Sequence, residues 1–232
     1  MRRVAIIPAR GGSKRIPRKN IKPFHGQPMI AWSIHAALQS DLFERVIVST
    51  DDAEIAGVAR DFGADAPFVR PASLADDHTG TGAVVCSALD WLIQNGERYD
   101  ACCCIYATAP FLTPERLREG WQALQTRGKA FAFSATSYAF PIQRAIRLTE
   151  TGGVEMFWPE HRATRSQDLP PAYHDAAQFY WGLTEAWLSG VDAFSEAGTA
   201  VILPRTEVVD IDTHEDWEVA EQIFRVFTSQ RR

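Results

Sequence analysis

The order of apolar and polar positions divides the first two-thirds of the chain into alternating short runs and helical stripes. An apolar run within residues 2–9, "VAIIPA", predicts a strand, and "PMIAWSIHAALQS" (28–40) carries one apolar stripe at helical spacing. "ERVIVST" (44–50) predicts the next strand. "DDAEIAGVARDFGA" (51–64) follows as a helix with acids at its start and Gly63 at its end. A helix over 79–96, a buried strand "ACCCIYAT" (101–108), a helix over 113–128 and a strand over 130–136 complete the alternation. Thr113 is the expected N-cap, with Pro114 in the first turn. This order predicts an α/β domain with a mainly parallel sheet and helices on both faces. Ligands of such sheets bind beyond the C-terminal ends of the strands.

From 138 to 177 the pattern breaks. Short strands are expected around 144–149 and 154–157, then a loop rich in proline and charge. Tyr138, Phe140, Phe157, Trp158 and Tyr173 make it too aromatic for a linker, so an insertion packed on a partner subunit or a ligand is expected. Strands resume at "QFYWGLT" (178–184) and "AVILP" (200–204). The chain closes on a helix over 213–227 with Thr213 as cap. One domain over 1–232 results.

Charge changes the picture at the N-terminus. The chain has a net charge of -5, yet its first forty residues hold eight of the 24 Lys and Arg and no acid. An acidic overall balance argues against general nucleic-acid binding. No apolar run is long enough to cross a bilayer, and Pro8, Pro17, Pro23 and paired glycines oppose an amphipathic transit peptide. A cytoplasmic protein is expected. Cys86, Cys102, Cys103 and Cys104 form no C-x-x-C pair; the consecutive three read better as small apolar residues of a buried strand than as a metal or redox site.

The basic stretch is "PARGGSKRIPRKN", directly behind the first strand. Gly11 and Gly12 would let backbone amides approach an anion, Ser13 adds a hydroxyl, and Arg10, Lys14 and Lys19 add charge. Neither a Walker A loop nor a dinucleotide fingerprint is present, and the competing reading is a solvated basic loop. In "VVDIDTHED" (208–216), Asp210 and Asp212 share a face if the segment is extended. They would either hold a hard cation such as Mg2+ against phosphate oxygens or form an acidic loop ahead of a helix. Arg70, Thr79 and Thr81 flank another strand-to-helix connection. The stretch 164–181 gathers Arg165, Gln167, Tyr173, His174, Gln178 and Tyr180, suited to a carboxylated, hydroxylated small molecule.

"PARGGSKRIPRKNIKPFHGQPMIAWSI", "VSTDDAEIA", "RPASLADDHTGT" and "VDIDTHEDWEVAE", in this order and spacing, resemble the sugar-activating cytidylyltransferases of the CMP-sialic acid synthetase family. "CCCIYATAPF", "FPIQRA" and "TRSQDLPPAYHDAAQFYW" look most like its pseudaminate branch, with the same reaction on sialic or legionaminic acid as the nearest rival. The resemblance implies a Rossmann-like three-layer α/β/α nucleotidyltransferase fold, with the insertion serving dimerisation. It implies condensation of CTP with a nonulosonic acid sugar, giving a CMP-sugar and pyrophosphate. Arg10, Ser13, Lys14 and Asn20 would hold the triphosphate and ribose, and Arg70, Thr79 and Thr81 would lie near the base. Asp210 and Asp212 would bind Mg2+, while Thr108, Arg165, Gln167, Tyr173, His174, Gln178 and Tyr180 would face the sugar. Lys14, Arg10 and Asp212 would carry the catalysis, in a homodimer. A metal-dependent phosphatase using the two aspartates, or a nucleotide-binding regulatory protein without activity, are the rivals from other classes.

Overall fold

The structure, a computed structural model, describes residues 1–76 and 79–229. Asp77 and His78 of "RPASLADDHTGT" lie outside the described residues. Among the described residues ten strands and six α-helices follow in order: β1 (Arg3–Pro8), β2 (Pro23–Phe24), β3 (Gln27–Pro28), α1 (Met29–Gln39), β4 (Arg45–Ser49), α2 (Ala53–Asp61), α3 (Thr81–Gln94), β5 (Ala101–Ile105), α4 (Pro114–Arg127) and β6 (Phe131–Ser137). Then come β7 (Ile146–Leu148), β8 (Val154–Met156), β9 (Tyr173–Leu183), α5 (Thr184–Leu188), β10 (Gly198–Leu203) and α6 (His214–Ser229).

The main sheet has six strands in the order β10-β6-β9-β5-β1-β4. β1 pairs in parallel with β4 and β5, and β10 with β6, while β9 runs antiparallel to both β5 and β6. The reversal has a plain cause. A parallel return needs a crossover, usually a helix, to carry the chain back to the strands' starting edge. Between β6 and β9 the chain forms only 3-10 turns and the β7–β8 hairpin, so the next strand starts where β6 ended. β9 also starts earlier than the apolar pattern suggests, at Tyr173, and so takes in the last residues of the expected insertion. A register shift opposite it, between Phe133 and Ala135, accompanies a left-handed Ala177 at φ 49°.

Strand alternation distributes the core. Cys103 faces the side covered by Ile30 and Ile34 of α1 and by Leu117 and Trp121 of α4. Cys102 and Cys104 face Val85, Ala88 and Leu89 of α3. Burial pushes all three thiols far above their ordinary range, which fits their role as apolar filling. Trp181 is fully buried, stacks on Phe43 with centroids 5.0 Å apart, and donates its indole N–H to the Leu117 carbonyl at 3.0 Å. Truncating such a side chain costs about 3–5 kcal/mol. At the end of α4, Gly128 adopts φ 61°, the left-handed stop that a Cβ would disfavour. Among the described residues no helix is long and apolar enough to cross a membrane.

A third apolar cluster joins the two ends of the chain. Ile16 and Phe24, from the segment after β1, pack with Ile211 ahead of α6 and with Trp217 and Phe224 on it. Edge-to-face contacts of Phe24 with Trp217 and Phe224, at 5.3 and 5.2 Å, fix the helix on the loop. Thr213 caps α6 and Asp216 returns the favour, accepting from the Thr213 amide at 2.7 Å and the Asp212 amide at 3.0 Å.

Candidate active site

Beyond Pro8 the chain leaves β1, tied by the Ala9 amide to the Ser49 carbonyl at 2.9 Å, and enters the basic loop. Asn20, buried, donates its side-chain amide to the Arg10 carbonyl at 2.9 Å and so closes the loop upon itself. Lys19 donates to the Ile211 carbonyl at 2.6 Å and to Asp212 at 3.3 Å, and Arg15 pairs with Asp212 at 2.9 Å. Residues nearly two hundred positions apart thus meet because the third apolar cluster packs beneath them.

They line a cleft of about 520 Å³ at the C-terminal edge of the sheet. Arg10, Ser13, Lys14, Lys19 and Asn20 form one wall and Asp212 stands beside them. Arg70, Thr79, Thr81 and Thr108 contribute from the other connections. Arg15, Tyr106 and Asp76 also line it and were not singled out by sequence. Arg15 is one of several surface arginines in a basic run. Tyr106 sits one residue past a buried strand, the position that faces a cleft, and that signal was available. Its hydroxyl lies 3.4 Å from that of Thr81, and burial raises its phenol.

Five Lys and Arg and two Asp line this cleft, so its field favours an anion. Arg70 is the most committed of them. Its guanidinium is buried and bonds Ser49, and its pKa is lowered, first by burial and then by the charge of Arg10, with Asp51 opposing. A desolvated cation beside a second cation gains from a bound anion more than a surface lysine does. Arg10 donates to the Asp76 carbonyl at 2.9 Å, and Asp76 in turn accepts from the Thr79 amide and hydroxyl, each at 2.7 Å. That cluster ties Thr79 to Asp76 ahead of α3, whose N-terminal end opens on the cleft.

Asp210 and Asp212 are the residues that could hold a metal. The Asp210 carboxyl is raised, first by burial and next by the charge of Asp212, with Lys19 opposing. A divalent cation is the species that relieves such repulsion, and Mg2+ binds through one or two carboxylates plus substrate phosphates. The donor set fits. Asp210 itself does not line the cleft.

The structure adds detail at two of the expected groups. The Gly11 amide donates to Asp51 at 3.0 Å instead of standing available to an anion, and a Cβ on Gly11 would come 2.7 Å from the Asp52 carboxylate. Close approach of Asp52 therefore requires that glycine. Gly12 has open space around it. The residues expected on the sugar side, Thr108 excepted, do not line this cleft. Gln178 is buried, with its side-chain amide donating to the Glu207 carbonyl at 2.5 Å, and the Tyr180 hydroxyl donates to Asp175. Arg165 pairs with Asp168 at 2.7 Å, and Arg165, Gln167, Tyr173 and His174 are exposed on the segment after β6.

A sequence profile described as cytidylyltransferase matches residues 4–227. The pseudaminic acid cytidylyltransferase of Campylobacter jejuni serotype O:2 is 46% identical over 226 residues, covering 97% of each chain. The CMP-N,N'-diacetyllegionaminic acid synthase of Legionella pneumophila is 31% identical over 239 residues, again covering 97% of each. In three dimensions the chain resembles a CMP:2-keto-3-deoxy-manno-octonic acid synthetase solved with CTP. The TM-score is 0.68 at 17% identity, over 97% of this chain and 99% of that one, a likeness of fold.

Proposed function

The chain belongs to the cytidylyltransferase family, and we propose that it transfers CMP from CTP to pseudaminic acid, releasing pyrophosphate. The observation that carries the choice of sugar is the end-to-end similarity to the Campylobacter enzyme, which is well above that to the legionaminic acid synthase. The cleft's chemistry supports the nucleotide half of the reading: its excess of cations suits a triphosphate.

The anomeric hydroxyl oxygen of the sugar forms a bond to the α-phosphorus while the bond to the β-phosphate oxygen breaks. The electron pair of that bond leaves with pyrophosphate. Such a transfer asks for alignment and charge neutralisation more than covalent chemistry. Lys14, Arg10 and Ser13 hold the triphosphate, each charge-assisted bond contributing about 1.5–3 kcal/mol. Arg70 joins them on the nucleotide, with Thr79 and Thr81 beside the base. Asp210 and Asp212 would hold Mg2+, which supplies charge neutralisation at the phosphates when bound. The sugar's proton would pass to a water or to Asp212, a carboxylate lining the cleft beside Lys19.

The exposed residues expected on the sugar side would enter this reading through a second copy of the chain. Phe140 is 82% exposed, Leu148 76% and Val154 60%, an apolar surface on and beside the β7–β8 hairpin. A homodimer would cover it and bring Arg165 and Gln167, on the same segment, toward the neighbouring cleft. Light scattering reads this directly: the parent should be a dimer and Leu148→Glu with Phe140→Asp a monomer; a monomeric parent would remove the dimer from the reading, and a variant that stays dimeric would remove this surface.

The sugar is tested by supplying CTP and Mg2+ with pseudaminic, legionaminic or N-acetylneuraminic acid in turn and comparing kcat/KM from pyrophosphate release. Pseudaminic acid should lead; a higher value for either other acid would reassign the substrate.

A further inference from the structure

The motif "VSTDDAEIA" takes no part in the mechanism above, yet its two aspartates hold both ends of the phosphate-facing loop. We propose that Asp52, with Arg18 and Asp51, is a positioning residue that sets where Ser13 and Lys14 stand in the cleft; this rests on the reading of that loop as the triphosphate site.

At the loop's entry, the Gly11 amide donates to Asp51 at 3.0 Å. The side chain of Asp52 lies so close to the Gly11 Cα that a methyl group there would meet its Oδ2 at 2.7 Å and its Cβ at 3.0 Å. At the far side, Arg18 forms a two-pronged pair with Asp52, its Nη1 on Oδ2 and its Nη2 3.2 Å from Oδ1, and reaches Glu54 as well. Arg18 has φ 57°, a left-handed conformation that costs a non-glycine residue about 1–2 kcal/mol and therefore needs such a hold. The carboxylate of Asp52 is largely shielded, 21% exposed, so its pair with Arg18 is worth more than a surface pair. Residues 12–17, of which Ser13, Lys14, Arg15 and Ile16 line the cleft, are thus strung between positions 11 and 18, both gripped by the start of α2. Asp51, Asp52 and Arg18 themselves do not line the cleft.

Asp52 has a second task, because its Oδ1 also caps α2, accepting from the Glu54 and Ile55 amides at 2.9 and 3.0 Å. The test separates the two. Asp52→Ser keeps a capping oxygen but cannot bridge to Arg18. It should raise the KM for CTP about tenfold, with kcat within about twofold, the KM for the sugar unchanged and the melting temperature within about 2 °C. Arg18→Ala should do the same, and the double variant should be no worse than either single one, since both break one link. Asp52→Asn, which keeps one acceptor, should fall between. A KM for CTP within about twofold of the parent in Asp52→Ser, or multiplicative effects in the double variant, would overturn the proposal. Lys14→Ala is measured alongside. If it weakens CTP while Asp52→Ser does not, the positioning role falls and the triphosphate reading stands. If Lys14→Ala leaves CTP unaffected, both fall.

Discussion

Arg70→Met should weaken CTP binding strongly while leaving the fold as stable as before. The side chain is 5% exposed, and its replacement removes a buried cation together with its bonds to the Ser49 carbonyl and hydroxyl. The Ser49 carbonyl keeps the Ala9 amide at 2.9 Å, so of the two acceptors only the buried Ser49 hydroxyl loses this partner without another to replace it. Losing a hydrogen bond costs about 0.5–1.5 kcal/mol. Removing an ion that burial and Arg10 already disfavour returns a comparable amount, so the net stability change is near zero. Binding has no such offset. A unit charge roughly 5 Å from a phosphate at an effective dielectric of 20 is worth about 3 kcal/mol, or about a hundredfold in affinity. Allowing for reorganisation, at least about tenfold should be lost. Calorimetric titration with CTP, paired with thermal unfolding of both proteins, reads the two quantities separately. A Kd within about threefold of the parent would refute the role given to Arg70. So would a fall in melting temperature large enough to explain the loss by misfolding.

The remaining predictions concern the frame that holds the cleft. Gly120→Ala on α4 would place a methyl 2.5 Å from Phe179 and 2.6 Å from Trp181. The overpacking should cost about 1–3 kcal/mol, outweighing the helix-propensity gain of about 1 kcal/mol, and lower the melting temperature without changing KM; an unchanged or higher melting temperature would contradict the packing. A thiol reagent should react in the native protein with Cys86 at most, slowly, because Cys102, Cys103 and Cys104 are fully buried; rapid labelling of two or more sites before unfolding would refute this. Glu97 is held below the ordinary carboxylate range by Arg45 first, against a burial cost, and then by the Tyr99 hydroxyl. A lowered folded-state pKa contributes stability above the unfolded value of about 4.3, which is lost as pH falls through the folded value. Glu97→Gln should therefore be less stable at pH 7, and the gap should close in acid; a gap unchanged at low pH would assign the effect to packing.

The layered fold was legible because its signals are local. The alternation in "ACCCIYAT" fixes which core each cysteine enters, Thr113 and Thr213 mark helix starts, and Gly128 ends α4, all within a few residues of the element they define. The direction of β9 was not legible in the apolar pattern, because it depends on the absence of a crossover helix across thirty-odd residues. Half of the cleft was legible for a related reason. Residues that follow strands were placed at one sheet edge by topology, and the cations among them announced an anion. What stayed hidden were partnerships formed across the fold. Arg15 on Asp212 could not be told from other exposed arginines, and the reason for Gly11 lies in Asp52, forty-one residues away. Gln178 and Tyr180 were drawn toward the sugar by composition, yet strand β9 turns both inward to internal partners.

The most direct test of CMP transfer follows the oxygen. Pseudaminic acid labelled with 18O at the anomeric hydroxyl is incubated with the protein, CTP and Mg2+, and the products are resolved by mass spectrometry. The account predicts CMP-pseudaminate that retains the label in the bond between sugar and phosphorus, with unlabelled pyrophosphate in equal amount. Loss of the label from the product, or consumption of CTP to CDP and phosphate without a CMP-sugar, would contradict it.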